Sequence, residues 1–294
     1  MNRKIIGLTL LSLSVLTLTA CGNRSDKSAN KSDIKVAMVT NQGGVDDKSF
    51  NQSAWEGLQK WGKKKGLTKG NGFDYFQSSN ESDHANNLDT AASSGYNLIF
   101  GIGFGLHDTI EKVSENNKDV KYVIVDDIIK GKENVASVTF ADNEAAYLAG
   151  VAAAKTTKTK TVGFIGGMEG VVVKRFEAGI FSEAKTENET RKESNKVWVI
   201  GVDRDQSQEG NYVSKDGKKA NFVLASTIKE VGKSLQSVAE LTEKKQYPGG
   251  KVTVFGLKDS GVDIKEHQLS SEGSVAVKKA KEDIVSGKIQ VPMK

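Results

Sequence analysis

The chain has 294 residues, a formal net charge of +5 and 27% charged residues, and it contains a single cysteine, Cys21. One cysteine excludes an intramolecular disulfide and a cysteine cluster for metal or redox chemistry. The lysines are interleaved with Asp and Glu along the whole chain. This is typical of a solvated surface and not of the basic stripe that nucleic acid requires.

The first residues have the features of an export signal. A basic start precedes an apolar run at 5–18, and Thr19-Ala20-Cys21 follows it. The run is too short to span a bilayer and is typical of a signal peptide, and the small residues before Cys21 resemble a bacterial lipobox. We therefore predict a signal peptide at 1–20, lipid (palmitate) attachment at Cys21 and a polar, flexible tether at 21–33. The alternative is an ordinary signal peptide with an incidental cysteine.

From residue 34 onward, short β-branched runs alternate with amphipathic stretches. Strands buried on both faces and joined by crossover helices give this rhythm, which predicts an α/β fold with a parallel sheet. In the first block, strands are predicted at 35–40, 73–76, 97–101 and 121–126, and helices at 49–64, 80–93 and 106–116.

A second block with the same alternation follows Phe140. Its predicted helices are 143–155, 174–192, 226–245 and 274–285, and its predicted strands are 161–165, 197–203 and 252–257. Two such blocks predict two lobes with a cleft between them. We assign 34–141 with 228–251 to the first lobe, and 142–227 with 252–294 to the second.

Polar side chains follow four of the predicted strands, at the end where open parallel sheets bind their ligands. The clusters are Asp46/Asp47 with Phe50 and Asn51, Asp126/Asp127, Asp203/Arg204/Asp205, and Lys258/Asp259. Taken singly, each aspartate also fits a helix-cap or turn role. Their recurrence at four equivalent positions favours a ligand site.

Signals for an enzyme are weak in this sequence. The histidines His84, His107 and His267 lack metal-ligand spacing and are predicted to be surface side chains, and catalytic serine, zinc and cysteine motifs are absent. The glycines at 101–105 and 166–170 lack dinucleotide and P-loop spacing, so we predict tight turns there. We predict a binding protein without cofactor or metal.

The strand-end residues indicate the chemistry of the ligand. Carboxylates accept hydrogen bonds from vicinal hydroxyls, and Lys258 can donate one. Phe50 beside Asn51 offers an aromatic face next to an amide, which suits a flat ring with polar edges. The ligand is therefore predicted to be neutral, partly planar and rich in hydroxyls.

Several longer strings carry a family resemblance. They are Asp46-Asp47-Lys48-Ser49-Phe50-Asn51-Gln52, Gly101–Phe104, Gly166–Gly170, Lys174–Gly179 and Val197–Gln206. Together they resemble the basic membrane protein family of bacterial lipoproteins, in particular the purine nucleoside receptor A-like substrate-binding components of ABC transporters.

The resemblance implies a type I periplasmic-binding-protein fold, with two lobes that each contain a mostly parallel sheet flanked by helices. It implies a purine nucleoside ligand (guanosine, adenosine or inosine), an ABC permease as partner, and a lipid-anchored position on the outer face of a Gram-positive membrane. By the same resemblance, Asp46, Asp47, Phe50 and Asn51 contact the base, Asp126 lines the cleft, and Asp203 and Lys258 hold the ribose.

The sequence departs from the family pattern after Gly179. Ala178-Gly179-Ile180 runs directly into Phe181-Ser182-Glu183, which matches a later part of the family pattern. About fifty residues, enough for two strands and a crossover helix, are missing between them. Phe181 is the family's second stacking aromatic by this match. We predict a truncated second lobe and impaired binding. One alternative is the loss of a variable insertion only. The rival functions are an enzyme that cleaves nucleosides or transfers phosphoryl groups through the aspartates near Asp46, and a lipid-anchored interaction protein without a small-molecule ligand.

Overall fold

The computed structural model of the protein describes residues 33–163 and 188–292. Cys21 and Phe181 therefore lie outside the described residues, as do the glycines at 166–170 and most of the helix predicted at 174–192. Residues 161–163, which begin a predicted strand, do not form one.

The described chain contains twelve strands and six α-helices. The strands are β1 (Val36–Thr40), β2 (Thr68–Lys69), β3 (Gly72–Phe76), β4 (Leu98–Ile102), β5 (Lys121–Val125), β6 (Val135–Phe140), β7 (Val199–Gly201), β8 (Asn211–Val213), β9 (Lys219–Asn221), β10 (Val223–Lys229), β11 (Val252–Phe255) and β12 (Val262–Glu266). The helices are α1 (Phe50–Lys64), α2 (Asp83–Ser93), α3 (His107–Asn116), α4 (Asp142–Thr156), α5 (Val231–Glu243) and α6 (Ser271–Val285).

The first lobe is built on a seven-stranded sheet in the order β11-β6-β5-β4-β1-β3-β2. Every neighbouring pair in it is parallel. In β1, Val36 and Met38 belong to one core cluster, which includes residues of α1 and α5. Ala37 and Val39 belong to another, which includes residues of α2 and α3. Because helices cover both faces, the central strands are continuously apolar, as the sequence predicted.

Helices α1 and α5 pack closely on one face of this sheet, and glycine allows the approach. A Cβ atom added to Gly57 would lie 2.2 Å from the Cα atom of Gly232. The contact joins the first helix of the lobe to a helix that is distant in sequence.

The second lobe contains a three-stranded sheet in the order β12-β10-β7 and the hairpin β8-β9. Strands β10 and β7 are parallel, whereas β10 and β12 are antiparallel. The described sheet is therefore mixed rather than mostly parallel. Helix α4 packs on β10 and β12 and against α6.

Two predicted features of this region are wrong. The helix predicted at 226–245 begins only at Val231, because its first residues belong to β10, the central strand of the second sheet. Strand β11 was assigned to the second lobe but pairs in parallel with β6 of the first. As the last strand of the large sheet, β11 exposes Val252 and Val254, so its apolar run does not indicate a second-lobe core.

The chain passes between the lobes after β6, after β10 and after β11, and hydrogen bonds join these crossovers. The amide of Ala141 donates to the carbonyl of Phe255 over 2.9 Å. The amide of Glu230 donates to the carbonyl of Gly261 over 2.8 Å. The side chain of Glu144 accepts from the amide of Leu257. The crossovers thus hold the carboxyl ends of both sheets close to each other.

Candidate functional site

The strand ends of the two lobes face each other and contact directly. Asp126 follows β5 in the first lobe, and Lys229 is the last residue of β10 in the second. The Lys229 ammonium lies 2.7 Å from a carboxylate oxygen of Asp126. Only 13% of the Lys229 side chain and 16% of the Asp126 side chain is exposed, so solvent screens this pair weakly.

Lys229 is the centre of the site. Besides Asp126, it contacts Asp142 at the start of α4, over 3.3 Å. Its ammonium also lies 5.2 Å from the ring centre of Phe50 and 5.3 Å from that of Phe140, within the range of cation–π attraction. Carboxylates from both lobes and two aromatic rings of the first lobe therefore surround a single cation.

The sequence analysis assigned the role of hydrogen-bonding lysine to Lys258, not to Lys229. Lys258 is an exposed residue of the turn after β11. Among the described residues, no hydrogen bond or ion pair joins it to the cluster around Lys229. The signal that identified the aspartates also applies to Lys229, which is the polar residue at the end of a buried strand. It was missed because residues 226–229 were predicted to begin a helix.

Asp203 follows β7 and reaches the first lobe through Ser49. The Ser49 hydroxyl donates to the Asp203 carboxylate over 2.9 Å. Asp203 and Asp126 both have left-handed backbones, with φ of 67° and 68°. This conformation is uncommon outside glycine and is concentrated at functional positions. The same backbone turn thus directs one carboxylate from each lobe to the junction.

Burial changes the protonation behaviour of these groups. Burial raises the pKa of the Asp203 carboxyl, and the Lys229 charge and the Ser49 hydrogen bond oppose it only in part. Burial by itself would lower the pKa of Lys229, but the charges of Asp126, Asp203 and Asp142 outweigh it and raise the pKa above the usual lysine value. Lys229 is therefore charged at neutral pH, and Asp203 takes up a proton more readily than a free aspartate.

The loop between β1 and α1 holds the remaining predicted residues. The Asp47 carboxylate accepts hydrogen bonds from the amides of Ser49, Asn51 and Gln52, each over 2.9 Å. These bonds satisfy free amides at the start of α1, which is the capping role considered as the alternative. Asp46, in contrast, is exposed.

Phe50 and Asn51 are almost fully buried, at 3% and 4% exposure. The Asn51 amide group donates to the carbonyl of Gln42 over 3.1 Å, which fixes the loop. Asn41, which the sequence analysis passed over, has a buried side-chain oxygen that accepts no hydrogen bond from the residues that the structure describes. A buried polar atom of this kind is costly and favours a ligand that can donate to it.

Contacts at the rim also join the lobes. Lys48 pairs with Glu209 over 3.0 Å, and Arg204 pairs with Glu56 over 3.4 Å. Both pairs are largely exposed, and exposed pairs contribute only about 0–1 kcal/mol each. They are consistent with a closed arrangement of the lobes, but the buried Lys229 cluster dominates the junction.

Each histidine of the chain contacts a loop at this edge. His84 lies 2.6 Å from the carbonyl of Asn41, His107 2.7 Å from the Asp127 carboxylate, and His267 3.2 Å from that of Asp205. The prediction of surface histidines is wrong for His84, which is 1% exposed, and for the His267 side chain, which is 12% exposed.

The glycine run after β4 forms the predicted tight turn. Gly103 has φ of 109°, and a Cβ atom on Gly105 would lie 2.4 Å from the Asn41 side chain. Within 33–163 and 188–292, no cluster of His, Cys, Asp and Glu has the arrangement of a metal site. In the same ranges, no helix is both long and apolar enough to cross a bilayer.

Comparison with known proteins identifies the family. The sequence profile of the PnrA-like substrate-binding proteins of ABC transporters matches residues 34–190 and 182–294. The chain belongs to this family. The resemblance found in the sequence is thereby confirmed.

Named relatives agree with this assignment. The nucleoside-binding ABC transporter protein BmpA of Lactococcus lactis is 44% identical, with all of both chains covered. The CD4+ T-cell-stimulating antigen of Listeria monocytogenes is 40% identical over 98% of each chain. Basic membrane protein A of Borreliella burgdorferi is 26% identical over 97% of this chain and 95% of its own.

Solved structures confirm the predicted fold class. A solute-binding protein of an ABC transporter system from Aeropyrum pernix has a TM-score of 0.65 at 19% identity, covering 89% of this chain and 94% of its own. A transcriptional activator of the comK gene from Bacillus halodurans has a TM-score of 0.64, also at 19% identity, covering 88% and 99%. At this identity, the similarity establishes the fold only.

Proposed function

We propose that this protein binds a purine nucleoside between its two lobes and delivers it to an ABC permease. The observation that carries the proposal is the Lys229 cluster, in which Asp126 and Asp203 from opposite lobes flank a buried cation beside Phe50. The name of the Lactococcus lactis relative, a nucleoside-binding protein, supports the choice of ligand.

In this proposal, each part of the ligand has a matching group. Asp126, Asp203 and Lys229 hold the ribose, because two carboxylates and one ammonium together can accept from and donate to its hydroxyls. Phe50 packs against the base, and Asn51 and the free oxygen of Asn41 recognise its polar edge. The paired carboxylates repel phosphate, so a nucleoside is favoured over a nucleotide.

Calorimetric titration tests this proposal. We expect heat of binding with guanosine, adenosine or inosine, and weaker binding of cytidine and free ribose, because the smaller ligands lose contact with Phe50. If ribose binds as tightly as a purine nucleoside, the base does not contribute to binding, and that part of the proposal is wrong. The absence of binding by every nucleoside would instead favour an interaction protein without a small-molecule ligand.

We also propose that Cys21 carries the lipid that anchors the protein to the outer face of the cell membrane. The sequence before Cys21 supports this, and the observation that no helix in 33–163 and 188–292 can cross a membrane is compatible with it. Two or more acyl chains are sufficient for stable attachment. Cys21→Ser is expected to release the protein into the medium, which fractionation and labelling with a palmitate analogue would detect.

We further propose that an internal segment is missing and that binding is weakened as a result. The alignment with the Lactococcus lactis protein runs over 351 positions, 57 more than the 294 residues of this chain. The family profile matches in two sections that overlap at 182–190, close to the predicted junction after Gly179. The affinity is expected to be lower than that of the Lactococcus lactis protein under the same conditions.

A further inference from the structure

His267 connects three strands of the second lobe. It follows β12, its amide donates to the carbonyl of Leu224 in β10, and its ring reaches the loop after β7. Atom Nε2 lies 3.2 Å from a carboxylate oxygen of Asp205 and 3.4 Å from the hydroxyl oxygen of Ser226. The side chain is 12% exposed, so the ring is held inside the lobe.

These three side chains are the types found in a catalytic triad, but their geometry differs from one. In a triad, the serine and the carboxylate contact opposite nitrogens of the imidazole ring. Here, Ser226 and Asp205 both approach Nε2. Ser226 also accepts a hydrogen bond from the amide of Gln206 and is fully buried, so it cannot act as an accessible nucleophile.

The contacts of His267 instead connect, through Ser226, to the loop that carries Asp203. The hydroxyl oxygen of Ser226 accepts a hydrogen bond from the amide of Gln206 over 3.2 Å. The side-chain oxygen of Gln206 accepts one from the amide of Val202 over 2.9 Å. Asp203 lies between these two fixed points with its φ of 67°. Because such a backbone is strained for a non-glycine residue, it depends on its neighbours to persist.

We propose that His267 is a positioning residue for Asp203 and makes ligand binding depend on pH near neutrality. This inference rests on the proposed function, because it concerns the affinity of the same site. Imidazole is the side chain that ordinarily changes charge between pH 5 and 8. Protonated His267 donates a charge-assisted hydrogen bond to Asp205, and neutral His267 can donate only a weaker one. Affinity therefore falls as the pH rises through this interval.

Other charged groups of the second lobe lie near His267. Burial opposes the ionisation of Asp205, but hydrogen bonds from Ser207 and the charge of His267 outweigh it and hold the pKa of Asp205 below its usual value. Lys265 also acts on Asp205, and Glu266 hydrogen-bonds to Ser274 of α6. Lysine and carboxylate side chains ordinarily ionise outside pH 6–8. Asp203, whose pKa burial raises, affects binding in the opposite direction on acidification, so the imidazole is assigned only the part of the pH dependence that His267→Gln abolishes.

The test compares guanosine binding at pH 6, 7 and 8 for the wild type and for His267→Gln, whose amide can still donate to Asp205 but does not titrate. The wild-type Kd is expected to rise about fivefold from pH 6 to pH 8, since charge-assisted hydrogen bonds are roughly twice as strong as neutral ones. The Kd of His267→Gln is expected to lose this rise. His107→Gln is the matched control and should follow the wild type, because the His107–Asp127 pair is about one-third exposed and screened. A variant His267→Gln with the wild-type dependence would overturn the inference.

A second measurement needs no ligand. In the free protein, the NMR signals of the Val202, Asp203 and Gln206 amides are expected to shift as the His267 ring changes its protonation state. The same signals should not shift in this way in His267→Gln. If no nucleoside binds at any pH, the proposed function fails, but the amide titration still decides the positioning role. Amide signals that do not respond to the ionisation of His267 would contradict it.

Discussion

At the residue scale, the site depends on one lysine that contacts both lobes. Lys229 lies at the end of β10, where Asp126, Asp142 and Phe50 surround its ammonium. Three carboxylates near one cation are stable only while that cation is present, because unpaired buried charges are costly. The lysine therefore supports both the closed arrangement of the lobes and the proposed ribose contacts.

Lys229→Met tests this role against Lys258→Met, which changes the lysine that the sequence alone favoured. The Lys229 variant is expected to lose at least about tenfold in guanosine affinity and about 3 kcal/mol in stability, since it leaves carboxylates without a partner. The Lys258 variant should change neither, because its side chain is exposed. Calorimetry and thermal unfolding would measure both effects. Equal losses for the two variants would contradict the assignment.

Asp203 gives a second prediction at this scale, with a defined pH dependence. Asp203→Ala is expected to weaken guanosine binding at least about tenfold at pH 7, because hydrogen bonds to charged groups contribute about 1.5–3 kcal/mol. Burial raises the pKa of Asp203, so the wild type should lose affinity on acidification before a free aspartate would be protonated. The variant lacks this acidic limb. Asp259→Ala, in the exposed turn after β11, is the control and should keep the affinity and the acidic limb of the wild type. Calorimetry between pH 4 and pH 7 would measure the three affinities.

At the element scale, the close contact of α1 with α5 is a specific requirement of the first lobe. Gly57→Ala would place a methyl group 2.2 Å from Gly232 and is expected to destabilise the protein by about 1–3 kcal/mol through overpacking. Gly150→Ala, in α4, meets no atom of the described residues outside its own stretch of helix within 4 Å and is expected to stabilise the protein by about 0.5–1 kcal/mol. Opposite shifts of the thermal midpoint would support the packing, whereas equal shifts would contradict it.

The same scale shows what the sequence could predict. Strands β1, β4 and β5 are continuous apolar runs between helices, so their type and parallel pairing followed from pattern alone. The last residues of β10, 226–229, were predicted as the start of a helix, because they run directly into α5. Strand β12 was missed, although Val262 and Ile264 alternate with polar residues.

The site was predicted only in part, for related reasons. Asp126 and Asp203 were identified because both directly follow apolar runs that predict strands. Lys229 was missed because the helix prediction hid the strand end. The histidine contacts could not be predicted, since they join residues that are distant in sequence, such as Asp205 and His267.

At the scale of the whole molecule, the protein has two lobes of unequal size. The first has a seven-stranded sheet with both faces covered, whereas the described part of the second has three strands and a two-stranded hairpin. Periplasmic binding proteins close two domains around their ligand by a hinge motion. A shorter second lobe is therefore expected to weaken binding without preventing the first lobe from folding.

Titration of guanosine into the mature protein tests the central claim most directly. Three proteins are compared: this chain, the same chain with the corresponding extra segment of the Lactococcus lactis protein inserted after Gly179, and the Lactococcus lactis protein itself. We predict binding to all three, weakest for this chain and strengthened by the insertion. No binding of any purine nucleoside to a folded chain, with or without the inserted segment, would contradict the account.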